Sequence, residues 1–150
     1  MTDLIDEALG IAPGSKLDQL RGARPEVRKR TQSSYDALFD PPDQKNLALG
    51  ERFAIALRVA ESSGSPVLAA HYRARLDDHS IGAGEARWAA IFRHVELLTR
   101  EPRAVTPTDL QALAAAGFNE ATIVTLSQIV SFVAYQVRVA ATLALLGEDA

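Results

Sequence analysis

The longest apolar segment of the chain is its last one, from Asn119 to Leu146, and it constrains how every other segment can pack. Apolar residues recur in it at alternating spacings of three and four, the period of one face of an α-helix. The first apolar set is Ile123, Leu126, Val130, Val133, Val137 and Ala140. The second is Ile129, Phe132, Val139, Leu143 and Leu146. The pattern predicts one helix of about 28 residues, roughly 42 Å long at 1.5 Å per residue.

Two apolar sides are more than a surface helix requires, since one stripe is enough to attach it to a core. We therefore predict that one side faces the core and that the other faces a second subunit of a homo-oligomer. A polar stripe runs between the two sides and faces solvent, an interface or a cavity. Its members are Gln128, Ser131, Tyr135, Arg138 and Thr142.

Glycine and proline divide the rest of the chain into shorter segments with helical periodicity. Pro25, Pro66 and Pro107 each stand where a helix can begin, because the first turn does not need the amide hydrogen that proline lacks. Helices are predicted over residues 3–9, around 17–20, and over 25–39, 47–61, 66–78, 84–100 and 107–116. No segment alternates polar and apolar residues as a half-buried strand would. The fold class is therefore all-α, with a short helical N-terminal extension over residues 1–42 and one compact helical domain over 43–150.

The chain has no cysteine, which excludes a disulfide framework, a thiolate metal site and a peroxidatic thiol. Its 16 basic and 19 acidic residues leave a formal charge of -3, which favours neither nucleic acid nor an anionic membrane as a partner. The basic run from Arg21 to Arg30 is expected to be a solvated or interface-pairing helix face. The start MTDLIDEALG does not resemble a secretion signal, and Gln128, Gln136 and Arg138 interrupt the longest apolar segment. We therefore expect a cytoplasmic protein that does not span or bind a membrane.

Histidine supplies the candidate chemistry. On the helix predicted from Pro66, His71 shares a face with small apolar residues, and Tyr72 lies on the next face. An imidazole so placed is either a general base or a buried group hydrogen-bonded to a neighbouring helix. His79 is expected to interact with the C-terminal dipole of its helix. The histidine spacing resembles no metal-binding motif, so neither a metal nor another cofactor is expected.

Two segments of the chain resemble a known family. They are LGERFAIALRVAESSGSPVLAAHYRARL and LLTREPRAVTPTDLQALAAAGFNEATIVTLSQIVSFVAYQVRVAATLALLG, which look like the carboxymuconolactone decarboxylase and alkylhydroperoxidase D superfamily. The match covers most of residues 47–147. The upstream LDQLRGARPEVRKRTQSSYDALFDP resembles the N-terminal extension of a cysteine-free branch. The resemblance implies an alkylhydroperoxidase D-like helical bundle.

The catalytic relay of the peroxidase members is missing from the resembling segment. In those members the relay is a Glu, eleven residues, Cys-x-x-Cys, three residues and a His. An ungapped alignment puts Phe53, Ser65, Leu68 and Tyr72 at the four positions. A shift by one residue gives Arg52, Gly64, Val67 and His71. Neither register has a thiol, and a serine hydroxyl cannot replace one because its pKa is far higher. Peroxidase activity is therefore not expected.

The resemblance implies a cofactor-independent lyase or proton-transfer activity on a small organic ligand, or binding of such a ligand. The pocket is expected between the helix from Pro66 and the final helix. The predicted catalytic groups are His71, Tyr72 and Glu51, with His71 or Tyr72 moving the proton. The predicted substrate-binding groups are Arg58, Ser65, Gln128, Tyr135 and Arg138, with Arg138 holding a carboxylate or enolate oxygen. The alternative is a noncatalytic oligomeric scaffold, or a partner subunit of a cysteine-containing relative.

Overall fold

The computed structural model describes residues 2–82 and 84–148. Over these residues the chain forms eight α-helices, joined by loops and one short 3-10 helix (Pro102–Ala104), and no β-strand. The helices are α1 (Leu4–Leu9), α2 (Lys16–Gly22), α3 (Pro25–Phe39), α4 (Leu49–Ser62), α5 (Pro66–Asp77), α6 (Glu85–Arg100), α7 (Pro107–Ala115) and α8 (Glu120–Glu148). The prediction of an all-α fold is confirmed.

Capping residues begin and end the helices close to the predicted positions. The Asp3 carboxylate accepts the amide hydrogen of Asp6 at 3.0 Å at the start of α1, and Gly10 ends that helix with a φ of 62°. At the start of α8, the side-chain oxygen of Asn119 accepts the amide hydrogen of Thr122 at 2.9 Å. Each bond pairs an amide group that the first turn of a helix leaves without an intrahelical partner. Local sequence therefore determines these helix ends.

Helix α4 contacts α3, α5, α6 and α8, and the core forms around it. Ile55 and Val59 of α4 and Leu126, Ile129 and Val133 of α8 are all fully buried in this core. Burial of an aliphatic side chain of this size contributes roughly 1.5–3 kcal/mol. Leu126 and Val133 of the first apolar set thus face the core, as the three-four spacing predicts, and Ile129 of the second set joins them.

The second apolar side of α8 packs within the same chain. Leu143 is buried together with Leu4 and Ile5 of α1, and Phe132 and Val139 lie against them. The sequence predicts a second subunit on this side, whereas in the structure the N-terminal extension covers it. The chain itself thus covers the second apolar side except at Leu146, which is 41% exposed, and the expected oligomer stays a prediction.

Arg21 and Arg28 are buried in an ion cluster that joins α1, α2 and α3. Arg21 Nη1 binds Asp6 and lies 2.6 Å from Asp3 Oδ1, while Arg28 lies 2.9 Å from Asp6 and 2.8 Å from Asp18. The arginine side chains are only 8% and 7% exposed. The solvated or interface-pairing face that the sequence predicts is therefore wrong for these two residues, because acids from α1 and α2 pair with them inside the chain.

Helix α8 reaches the length and hydropathy of a membrane span. An 18-residue window in it has a mean hydropathy of 1.8, and 33% of that window is buried within the protein. One such helix is weak evidence for a membrane, because the central helix of a bundle has a similar length and composition. The expectation that the chain does not span a membrane stays a prediction.

Candidate functional site

His71 and Tyr72 are neighbours on α5 but point into different surroundings. Tyr72 has no exposed surface, and its hydroxyl donates a hydrogen bond of 2.5 Å to Oε1 of Gln136 in α8. His71 is half-buried and lines a cleft between α5 and α1. The two side chains predicted as alternative proton carriers are thus separated: Tyr72 lies in the core and His71 at a surface cleft.

The cleft beside His71 has a volume of about 460 Å³. Small and apolar side chains make up much of its wall, and three charged side chains join them. The lining residues are Glu7 and Ala8 from α1, and Val67, Ala70, His71, Ala74, Arg75 and Asp78 from α5 and its C-terminus. Arg75 lies 3.5 Å from Glu7 across the cleft. Two carboxylates against one guanidinium leave the lining with a net negative charge.

Tyr35 of α3 holds the His71 ring. The Tyr35 hydroxyl and His71 Nε2 are 3.2 Å apart, and the two rings meet edge to face with centroids 5.9 Å apart. Burial lowers the pKa of His71, the positive charge of Arg75 lowers it further, and the charge of Glu7 opposes both effects. Burial also raises the pKa of Tyr35. Near neutral pH the pair is therefore an uncharged imidazole and a protonated phenol.

Tyr72 is suited to a structural role. Burial raises its pKa well above the usual value for tyrosine, so the hydroxyl keeps its proton. Its ring packs against Phe39, which in turn stacks on Phe53 with centroids 5.1 Å apart. Leu68 is fully buried in the same core. Three of the four positions that the ungapped alignment assigns to the relay thus belong to packed core.

The shifted register also contains residues with structural contacts. Buried Arg52 donates hydrogen bonds to the backbone carbonyls of Leu38, Gln44 and Leu47 at 2.7, 3.1 and 2.8 Å. These bonds tie the end of α3 to the loop before α4. In this register His71 alone combines a titratable group with an open cleft.

Glu51 lies at the start of α4, and its carboxylate is taken up by other contacts. Arg87 Nε donates to Glu51 Oε1 at 2.6 Å, and the amide of Ala48 donates to Oε2 at 2.9 Å. The guanidinium of Arg87 also lies over the Phe118 ring, 4.2 Å from its centroid. These contacts close the first turn of α4 and tie it to α6, and the structure does not bring Glu51 into the His71 cleft.

The predicted substrate-binding residues do not converge on His71 either. Arg58 pairs with Glu96 at 2.7 Å on the surface, and Ser65 stands just before α5, half-buried. The remaining three, Gln128, Tyr135 and Arg138, lie on the exposed face of α8. The space expected between α5 and α8 holds the buried Tyr72–Gln136 hydrogen bond, and the cleft of His71 opens toward α1 instead.

Sequence reasoning missed Tyr35, Glu7 and Arg75. Arg75 could have been found, since it lies four residues after His71 and so on the same helical face. Tyr35 and Glu7 come from α3 and α1, and no spacing rule connects them to His71. Among the described residues no group of three or more His, Cys, Asp or Glu side chains could hold a metal ion.

Comparisons with protein-family models, curated proteins and solved structures each gave no match. The resemblance to the carboxymuconolactone decarboxylase and alkylhydroperoxidase D superfamily therefore stays a prediction from the quoted segments.

Proposed function

We propose that the chain binds a small, uncharged organic molecule in the cleft between α1 and α5, and that His71 accepts a proton from it. The observation that carries this proposal is the uncharged, half-buried His71 held by Tyr35 at the wall of that cleft. A general base must be unprotonated at working pH, and burial together with Arg75 favours that state.

The His71–Tyr35 hydrogen bond supports a specific division of roles. If His71 Nε2 carries the hydrogen and donates it to the Tyr35 oxygen, the lone pair on Nδ1 is available for the proton. Proton transfer from the ligand then gives an imidazolium and a ligand anion. The imidazolium exchanges this hydrogen with solvent, and transfer of a solvent-derived proton back to the ligand restores both. The Glu7 carboxylate favours the imidazolium electrostatically, whereas Arg75 disfavours it. In this arrangement Tyr35 is a positioning residue.

The charge of the cleft limits the class of ligand. Glu7 and Asp78 outnumber Arg75, so a carboxylate ligand would be repelled unless it displaced Glu7 from its 3.5 Å contact with Arg75. A neutral carbonyl compound with an acidic C–H group, such as a ketone or a lactone, has neither problem. Arg138, the predicted anion-holding residue, does not line this cleft.

We also propose that the eight helices form an alkylhydroperoxidase D-like bundle. An alkylhydroperoxidase D-like bundle is supported by the quoted segments, which cover α4, α5, α7 and α8. In this view the relay positions became packed core, and His71 retained a cleft of its own. A lyase or isomerase reaction that starts with proton abstraction would suit such a site.

Exchange of carbon-bound hydrogen in heavy water tests the proposal. A panel of neutral ketones and lactones is incubated with the protein in D2O, and deuterium incorporation is followed by NMR. We expect the wild-type chain to accelerate exchange for some members and His71→Gln to remove that acceleration. His79→Gln is the matched control, because His79 stacks on Phe53 and does not line the cleft.

Binding is measured separately from chemistry. Amide signals of Ala70 and Ala74 should shift when a panel member occupies the cleft, in the wild type and in His71→Gln alike. Acceleration that survives in His71→Gln would overturn the role of His71. A panel that neither shifts these signals nor exchanges would overturn the proposed ligand class.

A further inference from the structure

The polar stripe of α8 is exposed along the whole helix. Its alternating spacing of four and three continues to Val124 at one end and to Leu145 at the other. These two apolar side chains are 55% and 65% exposed. We refer to the stripe from Val124 to Leu145 as the α8 seam.

The two ends of the α8 seam expose different apolar features. At the Val124 end, α3, α7 and α8 enclose a groove of about 630 Å³ whose lining contains no charged residue. Leu38, Leu110 and Val124 contribute apolar walls to it. At the opposite end Leu145 and Leu146 are exposed, at 65% and 41%. One end of the helix thus offers a largely apolar groove, and the other offers two exposed leucine side chains.

We propose that two copies of this chain associate through the α8 seam with their α8 helices antiparallel. The Leu145 end of each copy then lies in the groove at Val124 of the other. A two-fold axis near Tyr135, midway between Val124 and Leu145, forms both contacts at once, as isologous interfaces do. The four-three spacing is the period at which two packed helices keep the same faces together. This inference rests on α8 and is independent of the His71 cleft.

Arg138 favours the antiparallel direction. It is the only charged residue of α8 between Glu120 and Glu148. In a parallel pair each Arg138 would face the Arg138 of the other copy, and like charges at an interface repel. Antiparallel helices with an axis near Tyr135 put the two Arg138 side chains on opposite sides of the axis, about 10 Å apart along the helix direction. Each then faces the turn that carries Ser131, whose hydroxyl can accept a hydrogen bond.

The available surface suits a reversible dimer. Val124 and Leu145 are 21 residues apart, which corresponds to about 31 Å of helix. A strip of that length and about 10 Å width covers roughly 310 Å² on each copy, or roughly 620 Å² in total, to which the groove walls from α3 and α7 add. This strip is smaller than the interface of a stable dimer, about 1,200 Å² or more in total, so the dimer should be weak. Association should therefore depend visibly on protein concentration.

The first test compares two valines. Sedimentation velocity over a wide concentration range should show a monomer–dimer equilibrium for the wild type. Val124→Glu should raise the dimer dissociation constant about tenfold or more, because it introduces a charge into an apolar contact. Val27→Glu in α3 is the matched control, since Val27 is 47% exposed and lies outside the groove. A wild-type chain that stays monomeric throughout, or an equal effect of both variants, overturns the proposal.

The second test determines whether the two α8 helices are parallel or antiparallel. Because the chain has no native cysteine, only the introduced cysteines can react with a maleimide. Val124→Cys and Leu145→Cys are prepared separately and treated with a short bis-maleimide, alone and mixed. Antiparallel pairing predicts efficient cross-linking only in the mixture. Cross-linking of each variant with itself would indicate parallel helices and overturn the proposal.

A lipid bilayer could also cover the exposed apolar residues of α8, since this helix has the hydropathy of a membrane span. The wild type is therefore sedimented with neutral phosphatidylcholine vesicles beside Val124→Glu and Val27→Glu. We expect none of the three to sediment with the vesicles. Binding that only Val124→Glu abolishes would assign the face to a bilayer and overturn the dimer.

Discussion

The hydroxyl of Tyr72 in α5 donates its hydrogen to the side-chain oxygen of Gln136 in α8, and neither side chain has any surface in contact with solvent. Gln136 Nε2 has no hydrogen-bond partner among residues 2–82 and 84–148. In a buried site of this kind an unmade hydrogen bond costs more than a made one contributes. The bond therefore stabilises the packing of α5 on α8 mainly because breaking it would leave buried polar groups without a partner.

Breaking the Tyr72–Gln136 bond from either side should destabilise the protein, while replacing both partners should not. Tyr72→Phe leaves the amide of Gln136 buried without a partner, and Gln136→Leu does the same to the hydroxyl. Each should lower the free energy of unfolding by about 1–3 kcal/mol. The double variant should be close to wild type, which urea unfolding of all four proteins measures. Additive losses would mean that the two side chains do not depend on each other.

The ion cluster of α1, α2 and α3 should be sensitive to loss of one charge. Asp6→Ala leaves Arg21 and Arg28 buried with too few acids, and removing one partner from a buried ion pair costs about 3–5 kcal/mol. Glu61→Ala is the control, because Glu61 and Arg73 form a pair on the surface whose side chains are 43% and 55% exposed. Its loss should change the free energy of unfolding by less than about 1 kcal/mol. Similar losses in urea unfolding for the two variants would contradict the burial of the cluster.

Arg75 should lower the pKa of His71 measurably. Burial is the larger cause of the lowered value and Arg75 the next, so Arg75→Gln should raise the pKa of His71 without restoring it fully. Because the Arg75 side chain is 45% exposed, solvent screens part of its effect. NMR titration of the imidazole signals provides the measurement. Arg73→Gln, two residues away on α5, is the control and should leave the titration unchanged.

Local signals in the sequence predict much of the fold. Pro25 at the first position and the prolines after Phe39 predict α3 over 25–39, and the structure has Pro25–Phe39. A helix start depends on a few neighbouring residues, so it can be deduced from them. Burial of a charged residue depends on partners that are distant in sequence. Nothing near Arg52 indicates that three backbone carbonyls surround its guanidinium.

Of the candidate site, only the residues on one face of α5 could be predicted from the sequence. The face of α5 that carries His71 follows from helical geometry alone. Tyr35, which bonds to His71, is 36 residues earlier, and the pocket expected toward α8 opens toward α1. The covering of α8 by α1 escaped prediction for the same reason. A second apolar side in the sequence indicates that another surface covers it. Only the structure identifies Leu4 and Ile5 of α1 as part of that surface.

His94 should make stability fall on acidification. It is 4% exposed, and its Nδ1 has no hydrogen-bond partner in the described part of the chain. Burial lowers its pKa, and Asp109 opposes this. The unfolded chain therefore binds a proton more readily near pH 6.5, the usual pKa of histidine. Its contribution is present above that pH, is lost as pH falls toward the folded-state pKa, and levels off below it.

Urea unfolding at several pH values, for the wild type and His94→Leu, measures this contribution. The variant should lose less stability than the wild type between neutral and mildly acidic pH. His71 has a lowered pKa as well, so part of the slope should remain in the variant. Identical slopes for the two proteins would contradict the burial of a neutral His94.

Gly50 should tolerate no side chain, because the loop after α5 lies directly against it. A Cβ at this position would be 2.6 Å from the backbone oxygen of Ser80, and a backbone atom cannot rotate away as a side chain can. Gly50→Ala must therefore push the loop from α4, at a cost of about 1–3 kcal/mol. Gly22 is the matched control, since nothing lies within 4 Å of a Cβ there. Gly22→Ala should be neutral or stabilise by up to about 1 kcal/mol, because alanine restricts the unfolded chain more than glycine does. The urea midpoint should therefore fall for Gly50→Ala and stay the same or rise for Gly22→Ala. Equal midpoints for the two variants would contradict the close approach of α4 and the Ser80 loop.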